Sequence, residues 1–358
     1  MKIIVGMSGG VDSTVAALIL KKQGHEVLGV TMRVYSGGPM LTKHSHACYS
    51  PDEDRDIEYT HNVAHSLDIP LYVFDLRDAY RRNVLDYLSN EYGSGRTPNP
   101  CVRCNQQVKF YLLIEAARLN GLSFDYFATG HYAQVLYSPE TGRYLLKKAK
   151  DKKRDQSYFL CMLSQKQLEN ILFPLGEYTK IAVREIARTH NLINACRADS
   201  QDFAAGSYRQ LLGIEEKPGY IKDKYGNIMG THSGVWDFTI GQRKGLGIAR
   251  GKPLYVTALD YKSNTVYAGY EEDLYRREMI AKDANWISIE TLNKPLLVKA
   301  KIRSSHLGAD ALIQPEHSGS IRVTFAAPQK SLTPGQMVVF YDKDTLVGGA
   351  VIERVIET

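Results

Sequence analysis

Phosphate chemistry is indicated at the N-terminus, where residues 8–13 read S-G-G-V-D-S directly after the apolar run 3–5. The glycines let the backbone approach a ligand, the helix that follows offers unpaired N–H groups, and the serines add hydroxyl donors. This pattern predicts an anion cradle suited to pyrophosphate. Within it, Asp12 would repel phosphate unless Mg²⁺ bridged the two. The stretch is neither a Walker A loop nor a dinucleotide fingerprint, and the alternative is a glycine-rich turn without a ligand.

Thiol chemistry is indicated at residues 97–105, T-P-N-P-C-V-R-C-N, a C-x-x-C predicted on a loop before a helix. A thiol near a helix N-terminus is more readily ionised, so Cys104 with Arg103 predicts a nucleophile or a metal ligand. The alternatives are a structural zinc half-site or two incidental thiols. Cys161 lies in an apolar run and is predicted to be core, whereas Cys196 in a polar loop is the better partner.

Two further patterns have open interpretations. His44, His46 and Cys48 suggest zinc, but no fourth ligand follows at close spacing, so a surface loop is the alternative. The basic run 147–154 predicts either a contact with nucleic-acid phosphates or a solvated turn.

The elements that must position these residues indicate an α/β fold. Strands are predicted at 3–6, 25–32, 70–75 and 126–132, alternating with helices at 14–22, 52–67, 79–92 and 108–120. This alternation predicts a doubly wound parallel sheet, which binds ligands at the carboxyl ends of its strands. Further helices are predicted at 164–172 and 179–190.

The composition changes after about residue 206, where short alternating runs replace helical periods. Strands are predicted at 254–260, 264–269, 297–303, 320–326, 337–342 and 346–354. We therefore predict three domains: 1–205, a small central domain at 206–278, and a C-terminal β-barrel at 279–358.

Bulk composition constrains the class of protein. The 358 residues are enough for two or three domains, and 45 Lys and Arg against 39 Asp and Glu permit a polyanionic partner without requiring one. Five cysteines in this length do not make a disulfide scaffold. With no membrane-spanning run and no signal peptide, we expect a cytoplasmic location.

A family resemblance follows from these motifs. The cradle resembles the PP-loop of ATP pyrophosphatases, and nearly the whole chain resembles the tRNA-specific 2-thiouridylases. The matching stretches include S-G-G-V-D-S at 8–13, G-R-T-P-N-P at 95–100, A-T-G-H-Y at 128–132, D-Q-S-Y-F at 155–159, F-P-L-G at 173–176, D-S-Q at 199–201, T-I-G-Q-R-K-G-L-G at 239–247 and P-G-Q at 334–336.

The resemblance implies ATP-dependent thiolation of a tRNA wobble uridine. The uridine C2 oxygen would be adenylated with release of pyrophosphate, and sulfur would then displace AMP; Mg²⁺ and a sulfur donor, either sulfide or a persulfide carrier protein, are implied with it. The nucleotide-binding residues implied are Gly6, Met7, Ser8, Gly9, Gly10, Val11, Asp12, Ser13, Met32 and Gly130. The tRNA-contacting residues implied are Asn99, Pro100, Cys101, His131, Arg154, Asp155, Gln156, Arg303, Ser304 and Gln336, with the central domain also binding tRNA.

The sequence departs from the family pattern at two cysteine positions. Cys101 stands where the pattern has Asp, and Ala204 stands where it has the second cysteine of a persulfide-and-disulfide pair. Cys104 matches the first member of that pair, and Cys196 is a candidate for the vacant role. Our hypothesis is that Cys101, Cys104 and Cys196 ligate a 4Fe–4S cluster, since three thiolates and an open position suit a cluster that binds extra sulfide.

Three alternatives stay open at this point. A persulfide relay through Cys104 and Cys196 would need no cluster. A PP-loop enzyme acting on another nucleotide is a second alternative, although P-G-Q at 334–336 argues against it. A tRNA-binding paralogue without sulfur transfer is a third, suggested by Ala204.

Overall fold

The structure is a computed structural model that describes residues 1–37, 48–198, 211, 213–248 and 251–357. Several predicted features lie outside these residues: His44 and His46 of the zinc hypothesis, the D-S-Q stretch with Ala204, and the boundary at 205/206.

The elements alternate in the N-terminal part and become all-β towards the C-terminus. The helices are α1 (Val11–Lys22), α2 (Glu53–Ser66), α3 (Arg77–Tyr80), α4 (Asp86–Gly93), α5 (Pro100–Arg103), α6 (Leu113–Leu119), α7 (Gln165–Leu168) and α8 (Lys180–Thr189), with π-helical segments at Arg81–Leu85 and Cys104–Leu112. The strands are β1 (Lys2–Gly6), β2 (Glu26–Arg33), β3 (Leu71–Asp75), β4 (Tyr126–Thr129), β5 (Ala133–Ser138), β6 (Arg143–Lys148), β7 (Ile171–Leu172), β8 (Gly219–Lys222), β9 (Ile228–His232), β10 (Tyr255–Asp260), β11 (Thr265–Gly269), β12 (Tyr275–Trp286), β13 (Leu296–Lys301), β14 (Ala309–Pro315), β15 (Ile321–Lys330), β16 (Met337–Asp342) and β17 (Thr345–Ile356).

The N-terminal sheet is parallel and has the order β3-β2-β1-β4-β7. Its central strand is covered on both faces, which explains the unbroken apolar run 3–5. Ile3 and Val5 pack in a core with α1 and α8, whereas Ile4 packs in a second core on the opposite face. The predicted α/β fold is therefore confirmed.

Local predictions differ from the structure in several places: the strands β8, β9, β12 and β14 were not predicted, and three further differences lie near the site. The helix predicted at 164–172 is the short helix α7 followed by the strand β7, which completes the sheet. The β5–β6 hairpin was not among the predicted elements. The basic run 147–154 begins at the end of its second strand, β6. The C-x-x-C is not on a loop: Pro100 opens a helix, because its fixed φ and missing N–H suit the first helical turn.

The C-terminal part forms a closed six-stranded barrel, in which β12 pairs with both β15 and β17. The predicted boundary 278/279 falls inside β12. The central region is a separate sheet of order β10-β11-β8-β9.

The barrel and the N-terminal domain share a sheet and a hydrophobic core. Thr345 of β17 pairs with Lys147 of β6, so the hairpin extends the barrel sheet. One buried core includes Tyr158 from the N-terminal domain and Met337 from the barrel, and the Tyr158 hydroxyl donates to the Met337 carbonyl over 2.9 Å. The two domains therefore hold each other in a fixed arrangement.

No helix within the described residues has the length and apolar character needed to cross a membrane.

Candidate active site

The cradle lies at the carboxyl end of β1. Gly9 has φ +70°, and a Cβ there would lie 2.8 Å from the Thr60 hydroxyl, so only glycine fits. Ser8 N–H donates to Ser13 Oγ over 3.3 Å. Of the described side chains, none caps the start of α1 at Gly10, which leaves its first N–H groups to a ligand.

The other residues implied for the nucleotide frame this cradle. Gly6 ends β1, and the buried Met7 donates its N–H to Val30 O over 2.9 Å. Val11 is the buried first residue of α1, and Met32 of β2 packs against the core.

The carboxylate of Asp12 is neutralised within the protein. Lys180, the buried first residue of α8, donates to Oδ1 over 2.7 Å and to Oδ2 over 2.8 Å. The Tyr132 hydroxyl donates to Oδ1 over 2.8 Å. A paired carboxylate repels phosphate far less than a bare one, so the cradle can accept an anion.

Two neighbouring segments fix the shape of the cradle. Gly130 lies directly on it, because a Cβ there would come within 2.6 Å of the Asp12 and Ser13 backbone. The buried Asn194 amide donates to Gly9 O over 3.0 Å and to Thr14 Oγ1 over 2.8 Å.

The C-x-x-C belongs to a capped helix. The Asn99 side chain accepts from Val102 N–H over 3.2 Å, Pro100 is buried, and Cys101 is partly buried. Cys104 is buried, and burial raises its pKa to about 12 although the Lys109 ammonium pulls it down. The resting Cys104 is therefore a protonated thiol with a cation beside it.

The barrel contacts the segment that precedes this helix. Thr97 N–H donates to Pro334 O over 2.8 Å. The Gln336 amide donates to Thr97 O over 3.0 Å, and a Cβ at Gly335 would lie 2.8 Å from the Thr97 nitrogen. The P-G-Q turn thus packs directly on the T-P-N-P segment.

His131 lies between the cradle and the thiol helix. Its ring is 5.6 Å from that of Phe110 and 6.0 Å from that of Phe173, and Nδ1 is 2.7 Å from the Thr129 hydroxyl. Burial, with a smaller contribution from Lys109, lowers the pKa of His131 to about 3. The imidazole is therefore neutral at physiological pH.

Asp155 and Gln156 hold loops of the site together. The Asp155 carboxylate accepts from Ala149 N–H over 3.1 Å and from the Ser157 hydroxyl over 2.9 Å. The Gln156 amide oxygen accepts from Tyr132 N–H over 2.9 Å, which ties the basic run to the cradle.

A cationic surface forms where the hairpin meets the barrel. We call it the basic junction, and its members are Lys148, Lys152, Lys299 and Lys301. Burial lowers the pKa of Lys148 and of Lys301, whereas Asp155 raises the pKa of both and Asp344 raises that of Lys148. Lys152 pairs with Asp344 over 2.8 Å and Lys299 pairs with Asp310 over 2.8 Å, so these cations are partly compensated within the protein. The surface is rich in lysine and is suited to contact with a polyanion. Arg154 and Ser304 are exposed and Arg303 is half-buried on the same two segments.

The structure does not bring Cys196 and the C-x-x-C to one packed core. Cys196 is exposed, and its neighbour Ala195 packs with the core of α1 and α8, whereas Cys104 belongs to the core on the opposite sheet face. Arg184 holds this segment by donating to Ala195 O over 2.9 Å. Within the part of the chain that the structure describes, no three His, Cys, Asp or Glu side chains are placed to hold a metal ion.

Sequence reasoning missed Lys109, Lys180 and Asn194. None belongs to a short motif, and Lys180 and Asn194 reach the cradle from a helix and a turn that are distant in sequence. The weak signal for Lys109 is its position one turn after the C-x-x-C.

Comparison with known proteins identifies similar chains. Residues 1–204 match the family described as "tRNA methyl transferase HUP domain", 212–270 match its "PRC-barrel domain" and 276–352 match the "Aminomethyltransferase beta-barrel domain". The chain is 48% identical over 356 residues to the tRNA-specific 2-thiouridylase MnmA of Endomicrobium trichonymphae, covering 98% of this chain and 99% of the relative. It is 46% identical over 360 residues to that of Acetivibrio thermocellus, with 98% and 99% covered.

A solved structure of a predicted tRNA methyltransferase subunit from Methanocaldococcus jannaschii matches with a TM-score of 0.33 and 17% identity over 53% of this chain and 76% of that chain. That likeness is too low to support an argument.

Proposed function

We propose, because the chain belongs to the family of tRNA-specific 2-thiouridylases, that it uses ATP to replace the C2 oxygen of a tRNA wobble uridine with sulfur. One observation carries the proposal. The Gly130–His131 turn touches the phosphate cradle on one side and the thiol helix, through Phe110, on the other. A site that joins an anion cradle to thiols suits activation by ATP followed by sulfur transfer.

The first step is adenylation of the uridine. The C2 oxygen attacks the α-phosphate of ATP, and pyrophosphate leaves. In our proposal the cradle residues Ser8, Gly9, Gly10 and Ser13 hold the triphosphate through backbone N–H groups and hydroxyls, which stabilise the charge that builds on the leaving group. Lys180 contributes by neutralising Asp12.

The structure does not present Asp12 as a ligand for Mg²⁺. Both Asp12 oxygens already accept hydrogen bonds from Lys180.

Recognition of tRNA is proposed at three places. The basic junction, with Arg154, Arg303 and Ser304, would contact phosphates, since phosphate contacts supply most of the affinity and fix the register. Asn99, Pro100 and Cys101 would face the target base. His131 and Gln336 lie on the turns that position that segment, so contacts from them to tRNA would couple binding to the shape of the site.

Sulfur delivery is proposed to use the thiols of the C-x-x-C. The cluster of Cys101, Cys104 and Cys196 does not fit the described residues, which contain no three-residue metal set. We therefore propose that cysteine thiols, and not an iron–sulfur cluster, carry the sulfur.

The test of this function is pyrophosphate release from ATP with two tRNA transcripts that differ only in having uridine or cytidine at the wobble position. We expect release with the uridine transcript alone, and 2-thiouridine once a persulfide donor is added. Pyrophosphate without thiolation would indicate a PP-loop enzyme or paralogue that lacks sulfur transfer. Equal release with both transcripts would contradict the substrate assignment.

A further inference from the structure

The segment that begins at Cys48 packs into the same buried cluster as the C-x-x-C helix, although the two are far apart in sequence. The next residue, Tyr49, stacks on Tyr80 with ring centroids 5.7 Å apart and planes at 12°. Tyr49, Tyr80 and Cys104 belong to the same buried cluster, and Cys101 packs against it. Packing of Tyr49 therefore brings residue 48 to the thiol helix.

The electrostatics of the neighbouring groups agrees with this packing. Burial raises the pKa of Tyr80, and the negative charges of ionised Cys104, Cys48 and Cys101 raise it further. The same three charges raise the pKa of Lys109 against the opposing effect of burial. The three cysteines therefore lie within electrostatic range of the same hydroxyl and the same ammonium.

The three thiols differ in access. Cys48 is exposed, Cys101 is partly buried and Cys104 is buried. A protein or small-molecule persulfide can reach an exposed thiol but not a buried one. The accessible thiol is therefore suited to accept sulfur, and the enclosed pair is suited to attack it from within.

We infer that Cys48 is the sulfur-accepting thiol and that the C-x-x-C pair is its resolving partner. This assignment rests on the proposed thiolation, and it gives Cys48 the role that the sequence pattern suggested for Cys196.

In the proposed transfer, sulfur enters at Cys48. The Cys48 thiolate attacks the outer sulfur of a donor persulfide, forming Cys48–S–SH and releasing the donor thiolate. The terminal sulfur, after losing its proton to solvent, attacks C2 of the adenylated uridine, and the C2–O bond breaks with AMP taking the electron pair. A C-x-x-C thiol, once it has lost its proton to solvent, attacks the Cys48 sulfur as a thiolate. The S–S bond to the tRNA breaks, its electron pair stays on the C2 sulfur, and N3 regains a proton to give 2-thiouridine.

The step leaves a disulfide between Cys48 and Cys101 or Cys104. A dithiol reductant must supply two electrons and two protons to restore the thiols. Without reductant the enzyme should therefore stop after one turnover, with the disulfide trapped.

The test compares Cys48→Ser with Cys196→Ser in the full-length chain, with a persulfide donor and a dithiol. We expect Cys48→Ser to lose thiolation about 100-fold or more while tRNA-dependent pyrophosphate release persists. Cys196→Ser should retain wild-type thiolation. Peptide mapping of wild-type protein after one turnover without reductant should find Cys48 joined to Cys101 or Cys104.

Normal thiolation by Cys48→Ser, or a turnover-dependent disulfide that joins Cys196, would overturn the assignment. Failure of the proposed function is distinguishable, because wild-type protein would then form no 2-thiouridine in the tRNA under the same conditions.

Discussion

Lys180 donates to both carboxylate oxygens of Asp12, with Nζ 2.7 Å from Oδ1 and 2.8 Å from Oδ2. The pair joins the start of α8 to the first turn of α1, so it links the phosphate cradle to an element distant in sequence. A lysine that balances the one carboxylate of the cradle motif allows the cradle to hold an anion.

Replacing Lys180 tests this pair. Lys180→Met leaves the Asp12 carboxylate without its cation, and we expect a loss of about 1–3 kcal/mol in the free energy of unfolding, together with loss of tRNA-dependent pyrophosphate release. Adding Asp12→Asn removes the uncompensated charge, so the double variant should regain stability but not activity. Stability is measured by urea unfolding. Wild-type pyrophosphate release by Lys180→Met would contradict a role in the cradle.

The contact between Gly335 and Thr97 provides a second test. Gly335 has φ +91° and no room for a Cβ, whereas Gly319 has φ +75° with open space around it. Both Gly→Ala changes carry backbone strain of about 1–3 kcal/mol, but only Gly335→Ala pushes on the T-P-N-P segment. Hydrogen exchange at Thr97 N–H should accelerate, and thiolation fall, in Gly335→Ala alone. Equal effects of the two variants would show that the turn does not position the thiol helix.

The basic junction predicts a dependence on salt. Lys301→Glu and Lys152→Glu should weaken tRNA binding and reduce the slope of log affinity against log salt by about 1 each. Lys22→Glu is the matched control, because Lys22 is exposed at the end of α1 away from the cradle. Binding is measured by filter retention from low to moderate salt. If all three variants have the same slope, the junction is solvated surface.

His131 predicts a dependence of stability on pH. Above about 6.5 the imidazole is neutral in both the folded and the unfolded chain. Between about 3 and 6.5 only the unfolded chain takes up the proton, because burial holds the folded pKa at about 3. Stability should therefore fall as the pH falls through this window, by at most about 1.4 kcal/mol per pH unit from this residue.

The comparison is with His131→Gln, which keeps a hydrogen-bonding group but does not titrate. Its unfolding free energy should fall less steeply from pH 6.5 to pH 4.5 than that of the wild type. Parallel curves would mean that His131 is protonated in the folded protein.

The parts of the fold that could be predicted are those with a signal in the local sequence. The run 3–5 and the residues 8–13 predicted β1, the cradle and the start of α1, since a buried strand and a glycine turn each have a short-range signal. The strand β7 could not be predicted, because its two residues are strands only by pairing with Phe127 and Ala128 of β4. The β5–β6 hairpin likewise draws part of its stability from the barrel.

The motif residues of the site could be predicted from the sequence, but the residues that position them could not. Residues Ser8 to Ser13 and Cys104 stand in recognisable patterns. Lys180 does not, and Cys48 stands only in a pattern that suggests zinc, because the positions of both depend on how α8 and the segment before α2 pack on the sheet. The contact of P-G-Q with the T-P-N-P segment was also hidden, since Gln336 and Thr97 are 239 positions apart in the sequence.

The fate of the uridine oxygen is the most direct test of the central claim. A tRNA carrying ¹⁸O at C2 of the wobble uridine is incubated with the protein, unlabelled ATP, a persulfide donor and a dithiol, and the AMP is analysed by mass spectrometry. If the C2 oxygen is adenylated and then displaced by sulfur, each 2-thiouridine formed is matched by one AMP that carries a single ¹⁸O. Unlabelled AMP, with the ¹⁸O retained in the tRNA, would contradict the account.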